Sequence, residues 1–218
     1  STKNSTFQQY ILSMQFFKLK EQLKDFIVFS LNDIRKIDSN FYRHRLNEWQ
    51  NKGYIKKIRQ GYYIFSDLKI NEQSLFLIAN KIYHPSYISL EMAFSYYNLI
   101  PESVYAITSI TSQKTNNFKT KIGEFIYHSV KPELMFGYHL IKYQDYNFKI
   151  ATIEKVILDY FYINSHLKTE NDFFELRFNA EVFKTMVNKN TMECYIKKFS
   201  NKSLEVKMKK FLKFIHYA

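Results

Sequence analysis

A single cysteine, Cys194, leaves the chain no intrachain disulfide and points to a reducing compartment. It lies among Met192, Tyr195 and Ile196 in a helical pattern, which predicts a buried structural thiol rather than a nucleophile. Glycine (4 residues) and proline (3) are almost as scarce. That excludes long flexible linkers and any glycine loop that would cradle phosphates. No apolar run approaches the ~18 residues of a membrane span, so no membrane partner is expected. The opening Ser1-Thr2-Lys3-Asn4 lacks the pattern of a signal peptide, and a cytoplasmic location is expected.

The histidines (His44, His84, His128, His139, His166 and His216) have no metal-ligand spacing and no cysteine partners, so neither metal nor cofactor is expected. Clusters of Asp and Glu are missing as well. Glu154, Lys155 and Asp159 have structural explanations: Glu154 near a helix start suits the dipole, and Lys155 and Asp159 can pair at i, i+4. No enzyme is expected.

What is present is aromatic and basic. Apolar residues are 46% of the 218, with 21 Phe and 18 Tyr, ample for one large core or two ordinary ones. The net charge of +12 is uneven. Residues 1–66 hold 12 Lys/Arg against 5 Asp/Glu, residues 67–196 hold 13 against 14, and residues 197–218 hold 7 against 1. A compositional bias toward lysine does not explain a neutral middle between two basic ends. Such ends suit contact with a polyanion.

Along the first 66 residues, Phe7, Ile11, Met14, Leu19 and Leu23 have helical spacing over residues 7–23. Ser30 suits the N-cap of a short helix, Leu31 to Ile37. Asp38-Ser39 predicts a tight turn that caps a third helix, running to about Lys52 and ended by Gly53. Tyr54–Arg59 and Tyr62–Phe65 predict a hairpin around Gln60-Gly61. Helix, helix, turn, helix and hairpin in this order predict a winged helix-turn-helix over 1–66. Residues 67–218 mix types. Helices are expected at Glu72–Tyr83, at Ser89–Tyr97 (capped by Ser89) and from Thr152 to about Asn164. Strands are expected at Val104–Thr111, Gly123–Val130 and Tyr138–Ile150, with Gln113–Lys121 a polar loop. From Asp172 onward a helical tail is expected, with Thr191 and Ser203 as helix starts. The expected class is α+β: a winged helix-turn-helix, then a mixed α/β domain with a helical C-terminal tail.

On the third helix, Tyr42, Leu46 and Trp49 form an apolar stripe expected to pack inward. The opposite face carries Asn40, Arg43, His44, Asn47 and Asn51. These side chains suit base edges, since Arg presents a fork to guanine and Asn pairs its amide with adenine. Arg45 at the flank suits phosphate, and Lys56, Lys57 and Arg59 suit a hairpin held on the backbone. A merely solvated face usually alternates Glu with Lys; here Glu48 sits to one side. In the last helix, Leu204, Met208, Phe211, Leu212 and Ile215 form one face. Around them Lys207, Lys209, Lys210 and Lys213 are candidates for a second phosphate-contacting surface.

Three stretches resemble the AbiEi-type antitoxins, the transcriptional regulators of type IV toxin–antitoxin (abortive infection) systems. The first runs from Leu46 through Gly53 to Gly61-Tyr62-Tyr63. The second is Tyr87-Ile88-Ser89-Leu90-Glu91-Met92-Ala93-Phe94 followed by Tyr97-Asn98-Leu99. The third is Ile150 to Asp159 with Glu154-Lys155 at its centre. Ile153 stands where that family usually has proline, and Asn98 where glycine is common. The resemblance implies an autorepressor that binds repeats in its own promoter, with possible association on DNA. It also implies that a nucleotidyltransferase-like toxin is counteracted without a stable complex, and that a basic C-terminal region assists DNA binding. Two alternatives stay open. One is a regulator unlinked to a toxin, whose second domain senses a ligand or partner; the other is a nucleic-acid enzyme with a carboxylate site.

Overall fold

The computed structural model describes residues 15–217, in two units that divide between Ser74 and Leu75. In the first, a helix whose described residues are 15–22 (α1) leads to β1 (Phe29–Ser30), α2 (Leu31–Ile37) and α3 (His44–Asn51). A hairpin of β2 (Ile55–Arg59) and β3 (Tyr62–Phe65) follows. The strands form an antiparallel sheet in the order β1-β3-β2. Phe16, Leu23, Phe29, Ile34, Leu46, Trp49 and Ile55 fill the core. Leu19 and Leu23 are buried as their spacing predicts; Phe7, Ile11 and Met14 lie outside the described residues.

Ser30 caps α2 reciprocally with Asp33, each side chain accepting the other's backbone N–H, at 3.2 and 2.8 Å. The third helix begins later than its sequence suggests. The Asp38 carboxylate accepts the Asn40 N–H (3.1 Å) and the Asp38 carbonyl that of Phe41 (3.1 Å). This turn absorbs residues 38–40 and delivers Phe41 to the core at 6% exposure, leaving Tyr42 73% exposed. The inner stripe is therefore Phe41, Leu46 and Trp49, without Tyr42.

The second unit takes in most of α4 (Glu72–Ile82), a helix that crosses the division. Its elements are β4 (Ser86–Ile88), α5 (Leu90–Tyr96), β5 (Ile107–Thr111), β6 (Asn116–Thr120), β7 (Gly123–Ser129), β8 (Tyr138–Tyr143) and β9 (Tyr146–Ala151). Then come α6 (Ile153–Ile163), α7 (Glu170–Glu175), α8 (Ala180–Met186), α9 (Lys189–Phe199) and α10 (Lys202–Tyr217). The fold is mixed α+β, with a six-stranded mixed sheet ordered β6-β7-β5-β4-β9-β8 and a helical C-terminal region. β4 meets β9 in parallel at the register pair Ile88↔Ile150.

Several expectations are corrected. The stretch 113–121 contains β6, a polar edge strand without hydrophobic alternation. The single strand expected over 138–150 is a hairpin turning at Gln144, whose φ is 53°. α9 is capped by Asn188, not Thr191, and the α10 start by Asn201, whose Oδ1 accepts the Leu204 N–H at 2.9 Å. Cys194 is exposed, since α9 buries Met192 and Phe199 on its inner face and turns residue 194 outward.

A buried polar network lies within the apolar core of this unit. Lys155 and Asp159 pair at zero exposure on α6. The Lys155 ammonium also donates to the Tyr87 hydroxyl (2.8 Å), and the Tyr87 and Ser89 hydroxyls both donate to Asp159 Oδ2 (2.9 Å each). Because Ser89 is drawn to Asp159, its side chain does not cap α5; Thr108 Oγ1 accepts the Met92 N–H instead (3.0 Å) and donates to the Ser89 carbonyl (2.7 Å). Leu90, between them, has φ of 59°, a conformation non-glycine residues adopt only where neighbours impose it.

Candidate nucleic-acid interface

Helix α3 is eight residues long, and its sequence divides it cleanly. Leu46 and Trp49 are 1% exposed, while His44, Asn47 and Asn51 lie at i, i+3 and i+7 on the exposed side. Arg43 holds the N-cap position without a side-chain capping bond, so its guanidinium is free to point outward from the positive end of the helix.

An open recess of about 500 Å³ collects these residues. Arg43, His44 and Asn47 enter it from α3, Arg35 from α2 and Lys57 from β2, with Tyr42, Gln50 and Tyr63 between them. No carboxylate lines it. Glu48 is close by, and His44 Nδ1 lies 3.2 Å from its Oε1. Arg35, Arg43, Asn47 and Lys57 make no side-chain hydrogen bond or ion pair among the described residues. Three cations, an amide and an imidazole thus face solvent together, with donors for phosphate and for base edges.

The other candidates are dispersed. Asn40 lies in the turn before α3, its N–H on Asp38. Arg45 is half-buried and donates to Gln15 of α1, lining a separate recess with Lys18 and Gln22. Asn51 is exposed at the far end of α3, outside the recess. Lys56 alternates to the opposite face of β2 from Lys57, and its ammonium donates to the Ser66 carbonyl at 3.3 Å. A register shift between Lys57 and Arg59 breaks the alternation, and the Arg59 guanidinium rests 5.7 Å from the Tyr62 ring centre.

The four C-terminal lysines do not all share one surface either. Lys207 is 5% exposed and donates to the carbonyls of Phe161 (2.8 Å) and Asn164 (3.0 Å), closing the C-terminus of α6. Burial, then the charge of Lys168, pushes its pKa down. These bonds hold two of its three ammonium N–H groups, so a structural role accounts for Lys207 without a phosphate. Lys209 pairs with Glu205 at 2.7 Å. Lys210 lines a cleft with Lys168, Lys202 and Lys207, while Lys213 rims a different groove.

Arg35 is the contributor that sequence reasoning missed. The signal was its place in the last turn of α2, the helix paired with α3, where an exposed cation borders the same recess. Among the described residues no group of three or more His, Cys, Asp or Glu side chains is placed to hold a metal ion, and no helix is long and apolar enough to cross a membrane. No protein-family model matches the chain, and no curated protein matches it.

Proposed function

We propose that the first unit is a winged helix-turn-helix that reads duplex DNA, with α3 in the major groove and the β2–β3 hairpin as the wing. The observation that carries this reading is the recess in which Arg43, His44 and Asn47 meet Arg35 and Lys57 with no carboxylate in its lining. Arg43 and Asn47 carry donor and acceptor groups suited to base edges, and Arg35 and Lys57 have the charge for flanking phosphates.

Beyond DNA binding, the chain is proposed to act as an autorepressing antitoxin of the AbiEi type, antagonising a neighbouring nucleotidyltransferase-like toxin without a stable complex. Two local features support that resemblance. Ile153, where the family usually has proline, is the first residue of α6 after the Thr152 cap, a position whose backbone suits proline. Asn98, where glycine is common, has φ of 55°, and asparagine is among the residues that best tolerate that region.

Fluorescence anisotropy of the full chain tests the DNA reading, using the duplex upstream of its own coding sequence and a scrambled duplex of equal length. The expected result is a Kd of about 10⁻⁸–10⁻¹¹ M for the first and about 10⁻⁴–10⁻⁶ M for the second. Equal affinities for the two would sink it.

A further inference from the structure

In the second unit, α8, the start of α9 and the last turns of α10 enclose a groove of about 580 Å³. Its floor is apolar. Phe183, Met192 and Ile215 are buried there, at 7%, 2% and 2% exposure, with Val187 and Leu212 half-exposed beside them. Its edge is basic: Lys184, Lys189 and Lys213 stand around it with His216, against one carboxylate, Glu193. None of these three lysines makes a side-chain hydrogen bond or ion pair among the described residues. Lys209, elsewhere on α10, does pair, with Glu205.

A concave apolar floor of this volume with a few charged groups at its mouth is the usual form of a small-molecule site. The floor excludes a compact polar anion such as inorganic phosphate, which would gain nothing from Phe183 or Met192. The uncompensated lysines favour a negative head group over a neutral one. We propose that this groove binds a medium-chain alkyl carboxylate. The chain lies along Phe183, Val187, Met192, Leu212 and Ile215, and the carboxylate lies among Lys184, Lys189 and Lys213. This inference uses only the second unit and stands or falls independently of the DNA reading.

Calorimetry on the full chain, below micelle-forming concentrations, tests it with octanoate, decanoate and decanol. Saturable binding of one decanoate per chain is expected, about fourfold tighter for each methylene added (~0.8 kcal/mol). Decanol is expected to bind at least tenfold more weakly than decanoate. Val187→Trp, which fills the groove, should abolish binding while the circular dichroism spectrum stays unchanged. Lys189→Gln with Lys213→Gln, a pair of exposed sites that does not threaten the fold, should lower decanoate affinity severalfold toward that of decanol and leave decanol unaffected. The proposal is overturned by no saturable binding, or by equal affinity for decanol and decanoate. It is equally overturned if the lysine variant binds decanoate unchanged, or if the protein engages only vesicles of anionic phospholipid and not the free carboxylate.

Discussion

Lys155 and Asp159, one turn apart on α6, form an ion pair with no solvent exposure on either side chain. Burial pushes the lysine pKa down and the aspartate pKa up, while each partner's charge opposes the shift in the other. The rings of Phe199 and Phe136 flank the ammonium at 4.6 and 4.9 Å from their centres. Tyr87 lies on β4 and Ser89 just after it, and Lys155 and Asp159 lie on α6, so this network ties the sheet to that helix.

Removing one member of such a pair strands the other charge. Lys155→Met is expected to destabilise the fold by ~3–5 kcal/mol in urea denaturation. Adding Asp159→Leu should recover part of that loss. Recovery stays incomplete because the Tyr87 and Ser89 hydroxyls lose their acceptor. If the double variant is as unstable as the single one, the charge on Asp159 is not the cause.

The two aromatic neighbours before α3 separate sharply. Phe41→Ala should cost ~3–5 kcal/mol, as for a buried phenylalanine, and Tyr42→Ala should stay within ~0.5 kcal/mol. Equal losses would place Tyr42 in the core after all.

Lys56 and Lys57 point to opposite faces of β2, which makes them a matched pair for DNA binding. Lys57→Gln should reduce the slope of log K against log salt by up to ~0.9, the value of one phosphate contact. Lys56→Gln should change it less. Arg43→Ala with Asn47→Ala should weaken operator binding by ~2–5 kcal/mol and random-sequence binding far less. A similar loss on both duplexes would reassign the recess to backbone contact.

Lys207→Met should destabilise the chain by ~1–3 kcal/mol, because a buried carbonyl at the end of α6 loses its donor. The salt dependence of DNA binding should not move, in contrast to what the run of C-terminal lysines suggests by itself. Anisotropy at several salt concentrations distinguishes the two roles.

Asp172 supplies a pH-dependent contribution. Backbone N–H groups of Lys168 and then Thr169, each at 2.7 Å, hold its carboxyl below the ordinary 3.8. A depressed folded-state pKa means that this stabilisation is present above 3.8 and is lost as pH falls through the folded value. An NMR titration should find Asp172 below 3.8. Asp172→Asn should flatten the acid limb of the stability curve, and an unchanged limb would show that the cap does not matter.

Sequence patterns revealed the elements whose signals are local. Ser30 and Thr152 cap α2 and α6, and Gln60-Gly61 turns the first hairpin where the residue types require it. The same patterns miss elements set by distant partners. β4 is three residues long and exists because β5 and β9 flank it, and β6 carries Asn116-Asn117 with no alternation to mark it. Phe41 and Tyr42 are equally aromatic, and only the Asp38 turn chooses between them. In the recess, Arg43, His44 and Asn47 were legible because one helix presents them together. Arg35 was not, since its proximity depends on how α2 packs against α3. The lysines of α10 looked alike in one dimension, yet Lys207 points at a helix end more than 40 residues away in sequence.

The register pair Ile88↔Ile150 also sets a timetable for biosynthesis. β4 leaves the ribosome about sixty residues before β9 does, a wait of roughly 3–12 s at ordinary elongation rates. Once β5 has followed it out, β4 can pair on one side, while its other edge still has open N–H and C=O groups. A polysome places many such nascent chains side by side, each with the same unfilled edge. Slow translation between Ile88 and Ile150 therefore lengthens the period in which one chain's β4 can be captured by another's.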